Sequence, residues 1–294
     1  MAACGEGVLR GRPATTVEAQ LHAASGRLRA ARLPTPALDA EVLLGHVLGV
    51  CREAFVTHPE RRLNRAQQRR YTRLVDRRVA RVPVAYLTGV REFFGHPVGV
   101  TPRVLIPRPE TETLVERAIL FLRAHPKKRD VIDLGTGSGA IAVAVATAVP
   151  DARIQALDIS RAALAVASRN ARALKIVRQV VFRQSDLLAR ARSADLILAN
   201  LPYLSASRRR TMPEDVRHEP LVALNGGQDG LRLIRRALHQ GPSVVRPGGC
   251  ILFECDPLQA RRLESLALET WPQAIVQIVR DLAGRPRVVE VHVP

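Results

Sequence analysis

The chain has 294 residues, 47% hydrophobic but only 3% aromatic, and a formal charge of +18 from 45 basic and 27 acidic side chains. That composition belongs to a folded protein with an aliphatic core and excludes a disordered chain, and no run of about eighteen apolar residues is present to span a bilayer. The opening MAACGEGVLRGRPATT lacks the uninterrupted apolar segment of a secretory signal, so a cytoplasmic location is expected.

So basic a field attracts nucleic acid, ribonucleoprotein or an acidic protein surface; it arises equally from an Arg-rich gene composition, and it says nothing about fold. Clusters such as RRLNRAQQRR (Arg61 to Arg70) read as solvated faces. Cys4, Cys51, Cys250 and Cys255 form no C-x-x-C pair and have no His partner nearby in sequence. Reduced thiols and no metal site are expected.

From Thr15 to about Ala80, apolar residues such as Val17, Leu21, Leu28, Leu43 and Val47 recur at helical spacing, which predicts a small helical bundle. Thr15 or Thr16 serves as the first cap, and LPTPALDAE separates the first helix from the second. Next, VAYLTGVREFFGHPVGV (Val84 to Val100), rich in aromatic and β-branched residues and punctuated by glycine, predicts a β-hairpin joining two domains. In VLIPRPETETLVERAILFLRAH, Pro109 falls in a first helical turn with Glu110 and Glu112 behind it, where the missing N–H costs nothing and carboxylates suit the helix dipole.

From Asp130 onward strands and helices alternate, which predicts a largely parallel sheet covered on both faces. Late in this region Gly226, Gly227 and Gln228 read as a glycine turn before a helix capped by Asp229. The domains expected are a helical substrate-recognition region at 1–83, a hairpin linker at 84–104 and a catalytic domain at 105–294.

The sharpest local signal is VIDLGTGSGAIA (Val131 to Ala142), a strand followed by three alternate glycines that open a helix. Gly135, Gly137 and Gly139 let the backbone turn tightly and approach a ligand, with Ser138 at the helix mouth. The spacing G-x-G-x-G, rather than G-x-G-x-x-G, points away from dinucleotides and toward an amino-acid nucleoside without a pyrophosphate. Asp158 ends the second strand, where a carboxylate takes both ribose hydroxyls, and Asp186 ends the third, where it accepts from an exocyclic amine with Leu187 beside the ring. Each feature alone is common; their order along the sheet carries the weight, and together they resemble the S-adenosylmethionine-binding half of class I methyltransferases.

The fourth strand, ADLILAN, delivers Asn200 beside the donor methyl. Its side-chain oxygen and a backbone carbonyl just after it suit the two hydrogens of a planar –NH2, while Tyr203 covers the flat face. N-P-P-Y at this place marks enzymes acting on planar amino or amide groups. With RVPVAYLTGVREFFG, VLIPRPETETLVE and HEPLVALNGGQDGL, the chain resembles, from about Thr15 to Val293, the bacterial peptide-chain release factor glutamine methyltransferases, a family called PrmC or HemK.

The resemblance implies a class I (Rossmann-like) methyltransferase fold: a mostly parallel seven-stranded sheet with a small all-α N-terminal domain joined by a β-hairpin. It implies methyl transfer from S-adenosylmethionine to the glutamine of the release-factor Gly-Gly-Gln loop, giving N5-methylglutamine. By it, Gly135, Thr136, Gly137, Ser138, Gly139, Asp158, Asp186, Leu187 and Asn200 bind cofactor. Asn200, Leu201, Pro202 and Tyr203 hold the glutamine, with Asn200 and Tyr203 catalytic. Release factors are the expected partners, with no metal, no stable nucleic-acid binding and no membrane association. The alternatives are a ribosomal-protein glutamine methyltransferase, a DNA or RNA amino-group methyltransferase, and a degenerate non-catalytic paralogue.

Two departures from the family pattern stand out: its first proline is Leu201 here, and a strand end usually E-x-G is Glu254-Cys255-Asp256. Leu201 supplies the same backbone carbonyl, and Pro202 keeps it extended. A loss of about 0.4 to 1 kcal/mol of rigidity is expected, rather than loss of chemistry.

Overall fold

In the computed structural model, which describes residues 16–294, Thr16 caps the first helix by accepting from the Ala19 N–H at 3.3 Å. The N-terminal run, Cys4 and Thr15 lie outside the described residues. Helices α1 (Val17–Ala30), α2 (Pro36–Leu48), α3 (Glu53–Thr57), α4 (Arg65–Val79) and α5 (Val84–Thr88) form the first unit, which ends at Thr88. Asn64 opens α4 with a capping box shared with Gln67. Leu28, Leu43, Leu63 and Tyr71 fill the centre, beside a buried ion pair from Arg78 Nε to Asp39 Oδ2 at 2.7 Å.

The segment 84–88, expected as part of the hairpin, is instead this last short helix. Pro83 starts it: its carbonyl accepts from the N–H groups of Tyr86 and Leu87 at 3.0 and 3.2 Å. A proline's preset φ at a helix start outweighs the β-branched and aromatic character of the residues after it. The hairpin proper belongs to the second unit, Gly89–Pro294. Its strands β1 (Val90–Phe93) and β2 (His96–Gly99) turn through Phe94 and Gly95, both at positive φ, as a two-residue hairpin turn requires.

Pro109–Thr111 then form a 3-10 turn that runs into α6 (Glu112–Ala124), and Glu112 Oε1 accepts from the Phe94 N–H at 2.9 Å, tying the hairpin turn to the helix start. The alternating region follows as β3 (Asp130–Leu134), α7 (Ala140–Ala148), β4 (Arg153–Asp158), α8 (Arg161–Ala173), β5 (Val180–Gln184) and β6 (Ala194–Ala199). Then come β7 (Leu204–Ser205), α9 (Ala206–Arg210), β8 (Asn225–Gly227), α10 (Arg232–Gln240), β9 (Val245–Glu254), α11 (Ala260–Thr270), β10 (Ile275–Arg280) and β11 (Pro286–His292).

Seven strands pair in the order β10-β11-β9-β6-β3-β4-β5, parallel except at the two pairings of β11. One face is packed by α6, α7 and α8, the other by α10 and α11. Strand order reverses around β3, with β4 and β5 to one side and β6 and β9 to the other. The carboxyl ends of these strands therefore open at a topological switch point, where such sheets bind ligands. Among the described residues, no helix is long and apolar enough to cross a membrane.

Candidate active site

Asp133, at the end of β3, is fully buried and organises the turn that follows it. Its Oδ2 accepts from Thr136 Oγ1 at 2.6 Å and from the Ala142 N–H at 3.2 Å, while Oδ1 has no partner among the described residues. Burial pushes its pKa up to about 6 against the pull of those two bonds, and the Asp158 charge adds to the rise. Gly135, Gly137 and Gly139 all sit at positive φ. A Cβ on Gly139 would meet that of Ala167 at 3.0 Å, so glycine lets α7 and α8 close on each other. Asn170, on α8, ties this loop to the hairpin: its Nδ2 donates to the carbonyls of Ser138 and Gly99 at 2.8 and 2.9 Å.

Asp158 ends β4 as expected, and its carboxylate accepts from the N–H groups of Gly137 and Ser160 at 2.9 and 2.8 Å. Burial raises its pKa, opposed by backbone donors. Asp186 lies two residues beyond β5 rather than at its end, and its Oδ2 accepts from Arg236 at 2.8 Å. Leu187 takes a left-handed φ of 49°, uncommon for a non-glycine residue, braced by Ser185 Oγ donating to its carbonyl at 2.8 Å.

Residues 134–138, Asp158, Asp186, Leu187 and Asn200 line one cavity of about 450 Å³. That volume and its mixed lining fit a nucleoside-sized ligand. The glycine turn at one wall, with the carboxylates of Asp158 at a strand end and Asp186 just beyond one, matches the hydroxyl and amine chemistry of an adenosine-bearing cofactor. A second cavity of about 280 Å³ is lined by Arg108, Tyr203, Met212 and Val216, among others. Asn200, Leu201 and Pro202, together with Leu105 and Ala223, line both cavities and form the partition between them.

At that partition Asn200 Nδ2 donates to Thr111 Oγ1 at 3.0 Å, and Oδ1 has no partner among the described residues and can accept. Tyr203 Oη donates to Glu254 Oε1 at 3.2 Å, and its carbonyl accepts from Gln259 Nε2 at 2.9 Å. Burial and the Glu254 charge hold the Tyr203 phenol well above its ordinary pKa, so it stays protonated. Leu201 is 3% exposed and packs in the core behind the partition, its Cδ2 3.2 Å from where a Gly135 Cβ would stand. The expected loss of rigidity at this position is thus set against a buried side chain that a proline would not replace.

Several supporting residues were not singled out as site residues from sequence. Thr111 sits inside PETE and looks like an ordinary helix-start threonine. Glu219 is buried and accepts from the Ile106 N–H at 3.1 Å and from Arg108, clamping the 103–111 wall to the loop before β8. Gly226 and Gly227, expected in a turn, form strand β8 beside β7, and the first turn of α10 opens at Leu231, with Asp229 accepting from the Leu231 N–H at 3.0 Å. A Cβ on Gly226 would fall 2.7 Å from the Pro202 carbonyl, and one on Gly230 would strike the Tyr203 carbonyl. These glycines are close-approach residues beneath the partition.

Cys51, Cys250 and Cys255 are free. Antiparallel pairing of β9 and β11 sets His292, distant in sequence, opposite Cys250, and with Glu290 their donor atoms lie within 4.8 Å. Glu290 is already engaged by His292 and Arg117, each at 2.8 Å, and burial holds the Cys250 thiol protonated.

Residues 19–89 match the PrmC N-terminal domain and residues 113–217 the methyltransferase small domain. The release factor glutamine methyltransferase of Moorella thermoacetica is 40% identical over 274 residues, covering 92% of this chain and 96% of that one. That of Deinococcus radiodurans is 39% identical over 270 residues, covering 92% and 95%. Among solved structures, the hMettl16 catalytic domain, in complex with a 3′UTR hairpin, superposes with a TM-score of 0.56 at 16% identity over 74% of this chain and 84% of that one, a likeness of fold. At about 40% identity over nine tenths of its length, the chain belongs to the release factor glutamine methyltransferase family.

Proposed function

We propose that the protein methylates the side-chain amide nitrogen of the glutamine in the Gly-Gly-Gln loop of peptide chain release factors, using S-adenosylmethionine and giving N5-methylglutamine and S-adenosylhomocysteine. The observation that carries this reading is the partition: Asn200 to Pro202 separate a nucleoside-sized cavity from a smaller one, with Asn200 Oδ1 free to accept. In the larger cavity Gly135 to Ser138, Asp158, Asp186 and Leu187 would hold the cofactor, which supplies an electrophilic methyl on a sulfonium, whereas Gly139, expected among them, does not line the cavity and serves the contact of α7 with α8. In the smaller one Asn200 Oδ1 and the Leu201 carbonyl accept the two amide hydrogens, Pro202 stiffens the slot and Tyr203 covers its face. The helical region preceding the hairpin recognises the release factor.

An amide nitrogen is a weak nucleophile because its lone pair is delocalised, so the site's task is orientation. Holding the –NH2 in line with the bond that breaks supplies several kcal/mol, and acceptors that bind more strongly as positive charge grows on nitrogen add more. A bound cofactor would give up its methyl to the nitrogen, and its sulfur would keep the electron pair of the S–CH3 bond. The nitrogen then sheds one hydrogen as a proton, which needs no strong base because a methylated, positively charged amide is acidic.

The test offers labelled S-adenosylmethionine with release factor, with its loop Gln-to-Ala variant, and with nucleic acid. Label on the intact release factor alone is expected. Label on nucleic acid instead would establish the amino-group alternative, which the charge of +18 favours, and no label anywhere would establish a non-catalytic paralogue.

A further inference from the structure

Arg108 lines the smaller cavity together with Asn200 and Tyr203. Its Nη2 donates to Oε1 of Glu219, a carboxylate whose side chain is only 1% exposed and whose Oε2 accepts from the Ile106 N–H at 3.1 Å. The Arg108 side chain itself keeps 33% of its surface exposed, and its Nε and Nη1 have no partner among the described residues. A buried carboxylate thus fixes the planar fork at one nitrogen and leaves its other N–H groups available in a set place.

Other side-chain donors of this lining are already spent. Asn200 Nδ2 donates to Thr111, the Tyr203 hydroxyl to Glu254 and the Thr211 hydroxyl to the Arg208 carbonyl. Arg208 pairs with Asp256 at 3.3 Å, but its side chain is 54% exposed and has no buried anchor. A glutamine on a Gly-Gly-Gln loop brings carbonyl oxygens into the cavity as well as two amide hydrogens, and a desolvated carbonyl left unpaired is costly. Glu219 already balances the Arg108 charge, so the fork suits a neutral carbonyl better than a phosphate. A donor on the glutamine's own amide oxygen would deepen the delocalisation of the nitrogen lone pair and slow transfer. A main-chain carbonyl of the neighbouring glycine carries no such penalty, and glycine lets the backbone come close. We propose that Arg108 recognises the main chain of the acceptor loop, donating from its free N–H groups to the carbonyl of a glycine beside the methylated glutamine. This rests on the glutamine reading above and adds a binding contact outside Asn200 to Tyr203.

Steady-state transfer to release factor, with KM and kcat separated, tests this on wild type, Arg108→Gln and Arg108→Lys, with cofactor Kd and melting temperature measured on each. Arg108→Gln is expected to raise KM for release factor about ten- to hundredfold, the scale of a hydrogen bond from a charged donor. Its kcat and cofactor Kd should stay within about threefold of wild type, because the contact is the same before and during transfer. Arg108→Lys keeps the charge and a bond to Glu219 but not the fork. It should melt like wild type while KM stays at least about fivefold higher, so it carries the test even where Arg108→Gln loses stability. An unchanged KM in Arg108→Gln, a KM fully restored by lysine, a loss confined to kcat, or a cofactor Kd that rises as much as KM would overturn this inference alone. A wild type inert toward release factor would overturn the glutamine reading and this inference with it.

Discussion

Asn200 Nδ2 donates to Thr111 Oγ1 at 3.0 Å, joining residues 89 apart in the chain. One hydrogen bond thereby decides which end of the Asn200 amide faces the smaller cavity. Removing the amide should cost far more than removing its anchor. Asn200→Ala is expected to lower kcat by about a thousandfold, the scale seen when a transition-state hydrogen-bonding group is deleted, with cofactor Kd changed only a few-fold. Thr111→Val, which loses one bond of about 0.5 to 1.5 kcal/mol, should lower kcat about three- to tenfold. Single-turnover kinetics with calorimetric cofactor titration checks both, and undiminished turnover in Asn200→Ala would remove that residue from the mechanism.

Gly135 and Leu201 meet across the same partition. At a φ of +77° an alanine at 135 is strained, and its Cβ would press on Leu201 Cδ2 at 3.2 Å. Gly135→Ala is expected to raise cofactor Kd about tenfold or more, since the turn gives way by about 1 to 2 kcal/mol of left-handed strain. Leu201→Ala should destabilise by about 2 to 5 kcal/mol through the cavity it leaves. Leu201→Pro trades that packing for backbone stiffness, so turnover should not improve; a gain above about a hundredfold, roughly 2.7 kcal/mol, would show that the missing proline limits this chain.

Asp133 makes stability depend on pH. Its folded pKa lies near 6 against an ordinary 3.8, so the folded state binds a proton more tightly than the unfolded one. Its contribution is fully favourable below the unfolded pKa and is lost as pH rises through about 6, a cost of about 3 kcal/mol at 1.36 kcal/mol per unit. Asp133→Asn should remove this component of the pH dependence, so that the difference in melting temperature between variant and wild type drifts upward between about pH 4 and pH 6 and then levels. A difference that stays constant over that interval would mean the carboxyl is not the group that titrates.

Glu219 clamps two loops with one buried carboxylate. Glu219→Ala strands the buried Ile106 N–H, at a cost of about 1 to 3 kcal/mol, and releases the partly exposed Arg108 guanidinium. Because both loops border the cavities, KM for release factor should rise more than KM for cofactor. Steady-state kinetics with each substrate varied in turn measures the split, and equal changes in the two would assign Glu219 to stability alone.

Much of the site was legible where chemistry and local geometry coincide. A glycine triplet after an apolar strand, a carboxylate at the next strand end and Asn-x-Pro-Tyr at the fourth each carry a short-range reason for their residue type, and the fold brings them to one sheet edge. Short-range reasoning misplaced Val84–Thr88, where Pro83 initiates a helix against β-like composition, and Gly226–Gly227, which form a strand in which the bare Cα of Gly226 allows close approach to the Pro202 carbonyl. It also passed over His292, which lies 42 residues from Cys250 and meets it only through strand register.

By itself the sequence determined the alternation that builds a parallel sheet, the switch-point edge proposed for the cofactor and the identity of the groups proposed to face an amide. Only the tertiary structure decided which way those groups point. The orientation of Asn200 depends on Thr111, the posture of Tyr203 on Glu254 and the closeness of Leu201 to Gly135 on a glycine without a Cβ. Such contacts join segments tens of residues apart, and hydrogen-bond direction is set by distance and angle, which strand and helix periodicity do not encode.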